Sequence, residues 1–290
     1  MSWLQIRFFT SPAAQEKLEE ALLAAGALSI TYEDAADQPI LEPGLHETPL
    51  WNELVLTALF TADIDIHHVL DIAEQAFHQP LPQHKAEILE DKDWIREWMD
   101  SYKPLQMGKR LWICPSWCEI PDPTATNLLL DPGLAFGTGT HPTTAMCLRQ
   151  LDSMELSGKT VIDYGCGSGI LGIAALLLGA KSATGIDIDP QALIASRDNA
   201  QRNGIDPERF PVFLPDKTPA CTADVVVANI LAGPLVELAT HITALTAEHG
   251  QLVLSGILQE QQSAVMAAYP AFDLRSIAQD EWACLYGIKR

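Results

Sequence analysis

The sequence predicts an α/β protein of two domains, a small α+β domain followed by a larger Rossmann-like one. Three observations carry this. From about residue 140, strand-like apolar runs alternate strictly with helical runs, the mark of right-handed βαβ units and a mainly parallel sheet. Before residue 92 the runs follow the order β-α-β-β-α-β, the split pattern of ferredoxin-like domains. The chain has 290 residues, 48% of them hydrophobic and 19% charged, which is length for two domains and apolar content to fill both cores.

In the first domain, Trp3–Phe9 alternates as a strand, and Ser11-Pro12 offers a cap residue and a proline at the first helical position. Gly26 stops the apolar run Leu18, Leu22, Leu23. Leu28–Tyr32 and Trp51–Phe60 read as strands joined by an acidic Pro/Gly-rich connection. Ile64–Phe77 places Ile66, Val69, Leu70, Ala73 and Phe77 on one helical stripe, and Lys85–Glu90 reads as a last strand. Asp93–Lys103, with Trp94 and Trp98, is expected to be a connecting helix ending at Pro104. The boundaries expected are therefore a first domain over 1–92, a linker over 93–110 and a second domain over 111–290.

In the second domain, Leu111–Pro115 and Thr126–Asp131 read as strands around a Pro-rich bend. Strands are then predicted at Val161–Tyr164, Ala183–Asp187, Pro211–Leu214, Asp224–Asn229 and Gln251–Ser255. Helices are predicted at Gly169–Leu178, Pro190–Asn203, Pro234–Leu245 and Gln259–Ala268. The tail, Phe272–Ala278 and Trp282–Ile288, reads as two strands joined by a tight turn, an antiparallel addition.

The net charge of −20 sits mostly in the first domain: residues 1–100 carry −14, residues 101–150 carry +1, and residues 151–290 carry −7. Gripping a nucleic acid backbone requires clustered Lys and Arg, so direct nucleic acid binding is not expected, and an anionic membrane surface is equally disfavoured. The six Cys and eight His fall at no zinc spacing, so no metal is expected. No signal-peptide layout or bilayer-length apolar run is visible, and a cytoplasmic, monomeric protein is the expectation.

The segment richest in chemical information is Val161-Ile162-Asp163-Tyr164-Gly165-Cys166-Gly167-Ser168-Gly169. An apolar strand ends in an acid, passes through glycines spaced GxGxG and opens a helix, a turn that admits close approach of a ligand. Asp187 follows Gly165 by 22 residues at the end of the next strand, where a carboxylate accepts both hydroxyls of a ribose. Gly167–Gly172 also fits the dinucleotide pattern GxGxxG, but that register leaves Asp163 where an apolar residue belongs. An acid there suits a cationic cofactor bearing an amino acid, whose ammonium needs an acceptor, as in S-adenosylmethionine. Asn229 ends a later parallel strand, where an amide oxygen can accept N–H bonds from a reacting amine; capping the next helix is the alternative. Asp131–Thr144, with Gly133, Gly137 and Gly139, reads equally as a loop closing over a ligand before a helix or as an ordinary surface loop, and His141 within it as structural rather than a base.

Together, AFGTGTHPTT, VIDYGCGSGILGIAA, GIDIDP, VVANILAGPL and LSGIL resemble the bacterial methyltransferase family (PrmA) that modifies the stalk-base ribosomal protein, L11, of the large subunit. The resemblance spans the chain and implies a ferredoxin-like substrate-recognition domain, a linker and a class I methyltransferase domain with a seven-stranded sheet. It implies S-adenosylmethionine as cofactor and transfer to lysine side chains and the N-terminal α-amino group of a basic ribosomal protein. By motif it assigns cofactor contacts to Thr144, Gly165, Asp187 and Asn229, with Asn229 also catalytic and Phe136 a weaker candidate to cover the cofactor. A class I methyltransferase acting on RNA or a small molecule is the alternative.

Overall fold

The structure is a computed structural model that describes residues 2–36, 38, 40, 49–89, 102–131 and 139–290. The chain divides into two compact units, Met1–Met99 and Asp100–Arg290.

The first unit follows β1 (Trp3–Thr10), α1 (Pro12–Ala24), β2 (Ser29–Asp34), β3 (Leu54–Thr61), α2 (Ile66–Phe77) and β4 (His84–Leu89). Its sheet order β2-β3-β1-β4, antiparallel throughout, is the ferredoxin-like topology. Period-two alternation buries Leu4, Ile6 and Phe8 of β1 against Leu18, Leu22, Val69, Ala73 and Phe77 of the helices. Ser11 stands at the N-cap of α1 without a side-chain cap bond, so Pro12 alone marks that start. In α2 the cap is Asp65, which accepts from His67 N, so the helix begins two residues later than the apolar stripe suggested.

The second unit opens with β5 (Leu105–Met107), β6 (Leu111–Cys114) and β7 (Thr126–Leu129), a small sheet with an antiparallel and a parallel pair. Residues 105–107, expected to be linker, are therefore a strand of the second unit: Leu105–Met107 pairs with Leu111–Ile113. Of the expected linker helix over Asp93–Lys103, residues 93–101 with Trp94 and Trp98 lie outside the described residues, and Tyr102 and Lys103 are not helical.

The main domain then runs α3 (Pro142–Ser153), β8 (Thr160–Tyr164), α4 (Ile170–Leu177), β9 (Ser182–Ile186), α5 (Pro190–Arg202), β10 (Val212–Phe213) and β11 (Ala223–Asn229). It continues with α6 (Ala232–Glu237), α7 (Ala239–Leu245), β12 (Thr246–Leu258), α8 (Gln262–Ala268), β13 (Phe272–Gln279) and β14 (Trp282–Lys289). The seven strands lie in the order β10-β9-β8-β11-β12-β14-β13. Only β14 runs against the rest, since β13 is antiparallel to β14 and β14 to β12. Strand alternation makes two cores: Val161, Val225, Val227 and Val253 face α3 and α4, whereas Ile162, Val226, Ala228 and Leu252 face α6 to α8. The single helix expected over 234–245 is two, broken at Leu238. The strand expected over 251–255 extends to thirteen residues because β11 and β14 flank it on both sides. Among the described residues no helix is long and apolar enough to cross a membrane.

Strand order reverses between β8 and β11: the chain moves outward from β8 through β9 to β10, then returns to place β11 on the other side of β8. In a doubly wound sheet the carboxyl ends on either side of this switch point frame a crevice.

Candidate functional site

That crevice is a cavity of about 190 Å³, lined by Thr144, Gly165, Gly167, Asp187, Asn229 and Ile230 among others. The four residues singled out from sequence, contributed by three strand ends and a helix, share it. Phe136 lies outside the described residues.

The glycine turn is built from β8 outward. Gly165 N and Cys166 N both donate to Ile186 O of β9, at 2.7 and 3.0 Å, fastening the turn to the second strand. Gly165 has φ +74, and a Cβ there would fall 2.2 Å from Ile230 Cγ2. Its missing side chain therefore makes room for Ile230 as well as for the left-handed backbone. Asp187 closes the turn from the other side: Oδ2 accepts from Gly167 N at 2.8 Å and Oδ1 from Asp189 N at 3.0 Å. Each oxygen keeps a second lone pair, so the carboxylate is held in place with acceptor capacity to spare.

Two residues that the sequence reading missed brace this turn from α5. Ser196 Oγ donates to Gly167 O at 3.0 Å, and Asn199 Nδ2 donates to Ser168 O at 2.9 Å. Both are buried on the face of α5 that also carries Ala192, Leu193 and Ala200. Polar residues three apart on an apolar helix face were the available signal. Cys166 lines the cavity, but burial pushes its thiol pKa far up, away from thiolate character, and its Sγ lies 3.4 Å from Ser196 Oγ.

Opposite the turn, Asn229 Nδ2 donates to Thr144 Oγ1 at 3.1 Å. Thr144, fully buried, stands in the first turn of α3, which starts at Pro142 behind an N-cap His141. His141 Nδ1 lies 2.7 Å from Thr143 Oγ1, its ring meets Trp282 edge-on at 5.0 Å, and burial lowers its pKa. These are structural contacts, as its place in the sequence suggested. The far end of α3 is anchored by Asp152, which is buried and accepts from Lys109 N at 2.6 Å and Arg110 N at 3.1 Å.

Asp163 departs from expectation. It was read as the acceptor for a cofactor ammonium, yet it is fully buried and does not line the cavity. Residues 161 and 163 of β8 point toward α3 and α4, so the glycine turn passes over the carboxyl instead of exposing it. Oδ2 accepts from Gly172 N at 2.8 Å, whereas Oδ1 is buried with no partner among the described residues. Burial raises its pKa to about 7, against a partial lowering by the Gly172 bond. Asp163 ties β8 to α4.

The residues present fit a sulfonium nucleoside. Asp187 offers a fixed carboxylate for a ribose, the turn at Gly165–Gly167 presents backbone without side chains, and Asn229 and Thr144 bring polar atoms to the far wall. Among the described residues no group of three His, Cys, Asp or Glu side chains is placed to hold a metal ion.

Comparison with known proteins gives matches over the whole chain. The family model described as ribosomal protein L11 methyltransferase (PrmA) matches residues 2–290. A ribosomal protein L11 methyltransferase of Ectopseudomonas mendocina is 59% identical over 292 residues, covering 100% of both chains. One of Cellvibrio japonicus is 55% identical, covering 100% of this chain and 99% of its own. A crystal structure of ribosomal protein L11 methylase from Lactobacillus delbrueckii subsp. bulgaricus superposes with a TM-score of 0.57 at 30% identity. That match covers 65% of this chain and 98% of the other.

Proposed function

Because the chain belongs to the ribosomal protein L11 methyltransferase family, we propose that it methylates amino groups of L11, at lysine side chains and the N-terminus, with S-adenosylmethionine as donor. The observation that carries the site assignment is the Asn229–Thr144 hydrogen bond. It occupies an N–H of the amide, which leaves Oδ1 as the acceptor Asn229 can offer to an incoming amine.

When bound, S-adenosylmethionine supplies an electrophilic methyl: a nitrogen–carbon bond forms, the sulfur–carbon bond breaks, and the amine sheds a proton. The chain's own task is to position the nucleophile. Asn229 Oδ1 accepts an amine N–H and aims the nitrogen lone pair along the displacement axis. Asp187 receives the ribose. A lysine ammonium has a pKa of about 10.4 and an α-ammonium about 8, so the amine must lose a proton before it can react. Desolvation against Ile170, Leu171 and Ile230 of the cavity wall disfavours the ammonium and lowers that pKa. No side chain lining the cavity is placed as an essential general base in this scheme.

The first unit supplies substrate recognition in this reading, and its support is electrostatic. A charge of −14 over residues 1–100 attracts a lysine-rich ribosomal protein and repels RNA. The protein acts as a cytoplasmic monomer in the same reading. The test is transfer of labelled methyl from S-adenosylmethionine to purified L11, with ribosomal RNA as the competing acceptor. Label in L11, located on amines by mass spectrometry, is the expected result; label in RNA alone overturns the proposal.

A further inference from the structure

Ile230, the residue after Asn229, is seated between two backbones that lack side chains. Its Cγ2 occupies the space where a Cβ on Gly165 would fall, 2.2 Å away. Its peptide lies over Gly256 of β12, where a Cβ would meet Ile230 O at 2.3 Å, C at 2.7 Å and N at 3.2 Å. Gly256 also has φ +84, a conformation that disfavours any side chain. It follows Ser255, the last rung of the ladder that pairs β11 with β12 through Asn229. On its other side the pairing of β12 with β14 shifts register between Leu254 and Ile257, so Gly256 sits in a local irregularity. Ile230 also lines the cavity.

We propose that Ile230 and Gly256 are positioning residues for methyl transfer, a spacer that sets the distance between the cofactor turn at Gly165 and the amide of Asn229. This rests on the reading of Asn229 as the group that aims the amine. Asn229 is one peptide bond from Ile230, so a shift of the Ile230 backbone carries the amide with it. A misplacement of about 1 Å at a reacting centre costs on the order of 100-fold in rate. The Cγ2 contact selects β-branched side chains: valine keeps that methyl, whereas leucine moves its branch one carbon out. At Gly256 the obstacle is backbone, so no change of side chain at 230 relieves it.

The test uses the full chain with three variants, Ile230→Val, Ile230→Leu and Gly256→Ala. Two readouts are taken: the Kd for S-adenosylhomocysteine by calorimetry, and kcat for transfer to L11. Ile230→Val, which keeps Cγ2 but trims the cavity wall by one methyl, is expected to lose no more than about 3-fold in kcat. Ile230→Leu and Gly256→Ala are expected to keep Kd within about 3-fold while losing roughly 10-fold or more in kcat, since alignment and not cofactor affinity is disturbed. If Gly256→Ala does not fold, the valine and leucine pair decides. Leucine as active as valine, or a loss of kcat matched by an equal loss of cofactor affinity, overturns the inference alone. A wild-type chain that moves no methyl to any amine removes the functional reading and this inference with it.

Discussion

Asn229 and Thr144 are 85 residues apart in sequence and joined by a hydrogen bond of 3.1 Å from amide nitrogen to hydroxyl. The bond links the end of β11 to the first turn of α3, and it turns a freely rotating amide into one with a defined acceptor side. Thr144 was assigned by motif as a cofactor contact; its geometry also makes it the residue that orients Asn229.

Replacing Thr144 with valine preserves shape and removes the hydroxyl. Thr144→Val is expected to lower kcat by roughly 10-fold with a smaller change in cofactor Kd, because the amide loses its fixed orientation. Thr144→Ser, which keeps the hydroxyl, is expected to retain most of the activity. Steady-state kinetics with L11 alongside calorimetry checks both.

Asn229→Ala removes the acceptor itself. Its kcat is expected to fall by on the order of 100-fold, comparable to loss of one preorganised polar group, while S-adenosylhomocysteine affinity changes little. A collapse of cofactor binding would instead make Asn229 primarily a cofactor residue.

Asp187→Ala should behave in the opposite sense. In the proposed function the carboxylate serves a ribose, and in the structure it holds Gly167 N at 2.8 Å, so its loss is expected to remove a ligand contact and to loosen the turn. Cofactor Kd is expected to rise by roughly 10–100-fold, the range for one hydrogen bond to a charged group. Calorimetric affinity equal to wild type would contradict this.

Asp163 makes a prediction about stability and pH. Its folded pKa, about 7, lies above the ordinary carboxyl value, so the folded state binds a proton that the unfolded state has already released. The contribution of this group is therefore fully present below about pH 4, declines as pH rises toward 7, and is an ionisation penalty above that. Asp163→Asn, which keeps an acceptor for Gly172 N, is expected to raise the melting temperature by roughly 5 °C at pH 8 and to give no gain at pH 4. Thermal melts at the two pH values read the difference directly; an equal effect at both would show that the carboxyl has the same pKa in the folded and unfolded states.

The acidic first unit predicts salt sensitivity. Association with L11 is expected to weaken several-fold between about 0.05 and 0.5 M salt, as the Debye length contracts from above 10 Å to a few ångströms. Binding that ignores salt would assign the acidity to solubility alone.

Local signals in the chain carried much of the architecture. Alternation in β1, the stripe of α2, the start of α5 at Pro190 and the GxGxG turn are each readable from a few neighbouring residues, and each is where it was expected. The 22-residue step from Gly165 to Asp187 follows from one turn, one helix and one strand of ordinary length, and it brings both to one cavity. What sequence could not reveal was which side chains meet once the strand order folds back. Asp163 and Asp187 both stand near strand ends, yet one is buried and the other closes the turn, because Asp163 lies within β8 and faces α4 whereas Asp187 lies just past the end of β9. Ser196 and Asn199 became braces only when α5 docked on the turn, and Gly256 became a seat for Ile230 only through the register of β11 on β12. Sequence periodicity thus determined the elements and the chemistry available at their ends. The tertiary structure alone decided the pairings, because residues 20 to 85 positions apart, from Gly167 and Asp187 to Thr144 and Asn229, are brought within bonding distance by strand order and register, which no local pattern encodes.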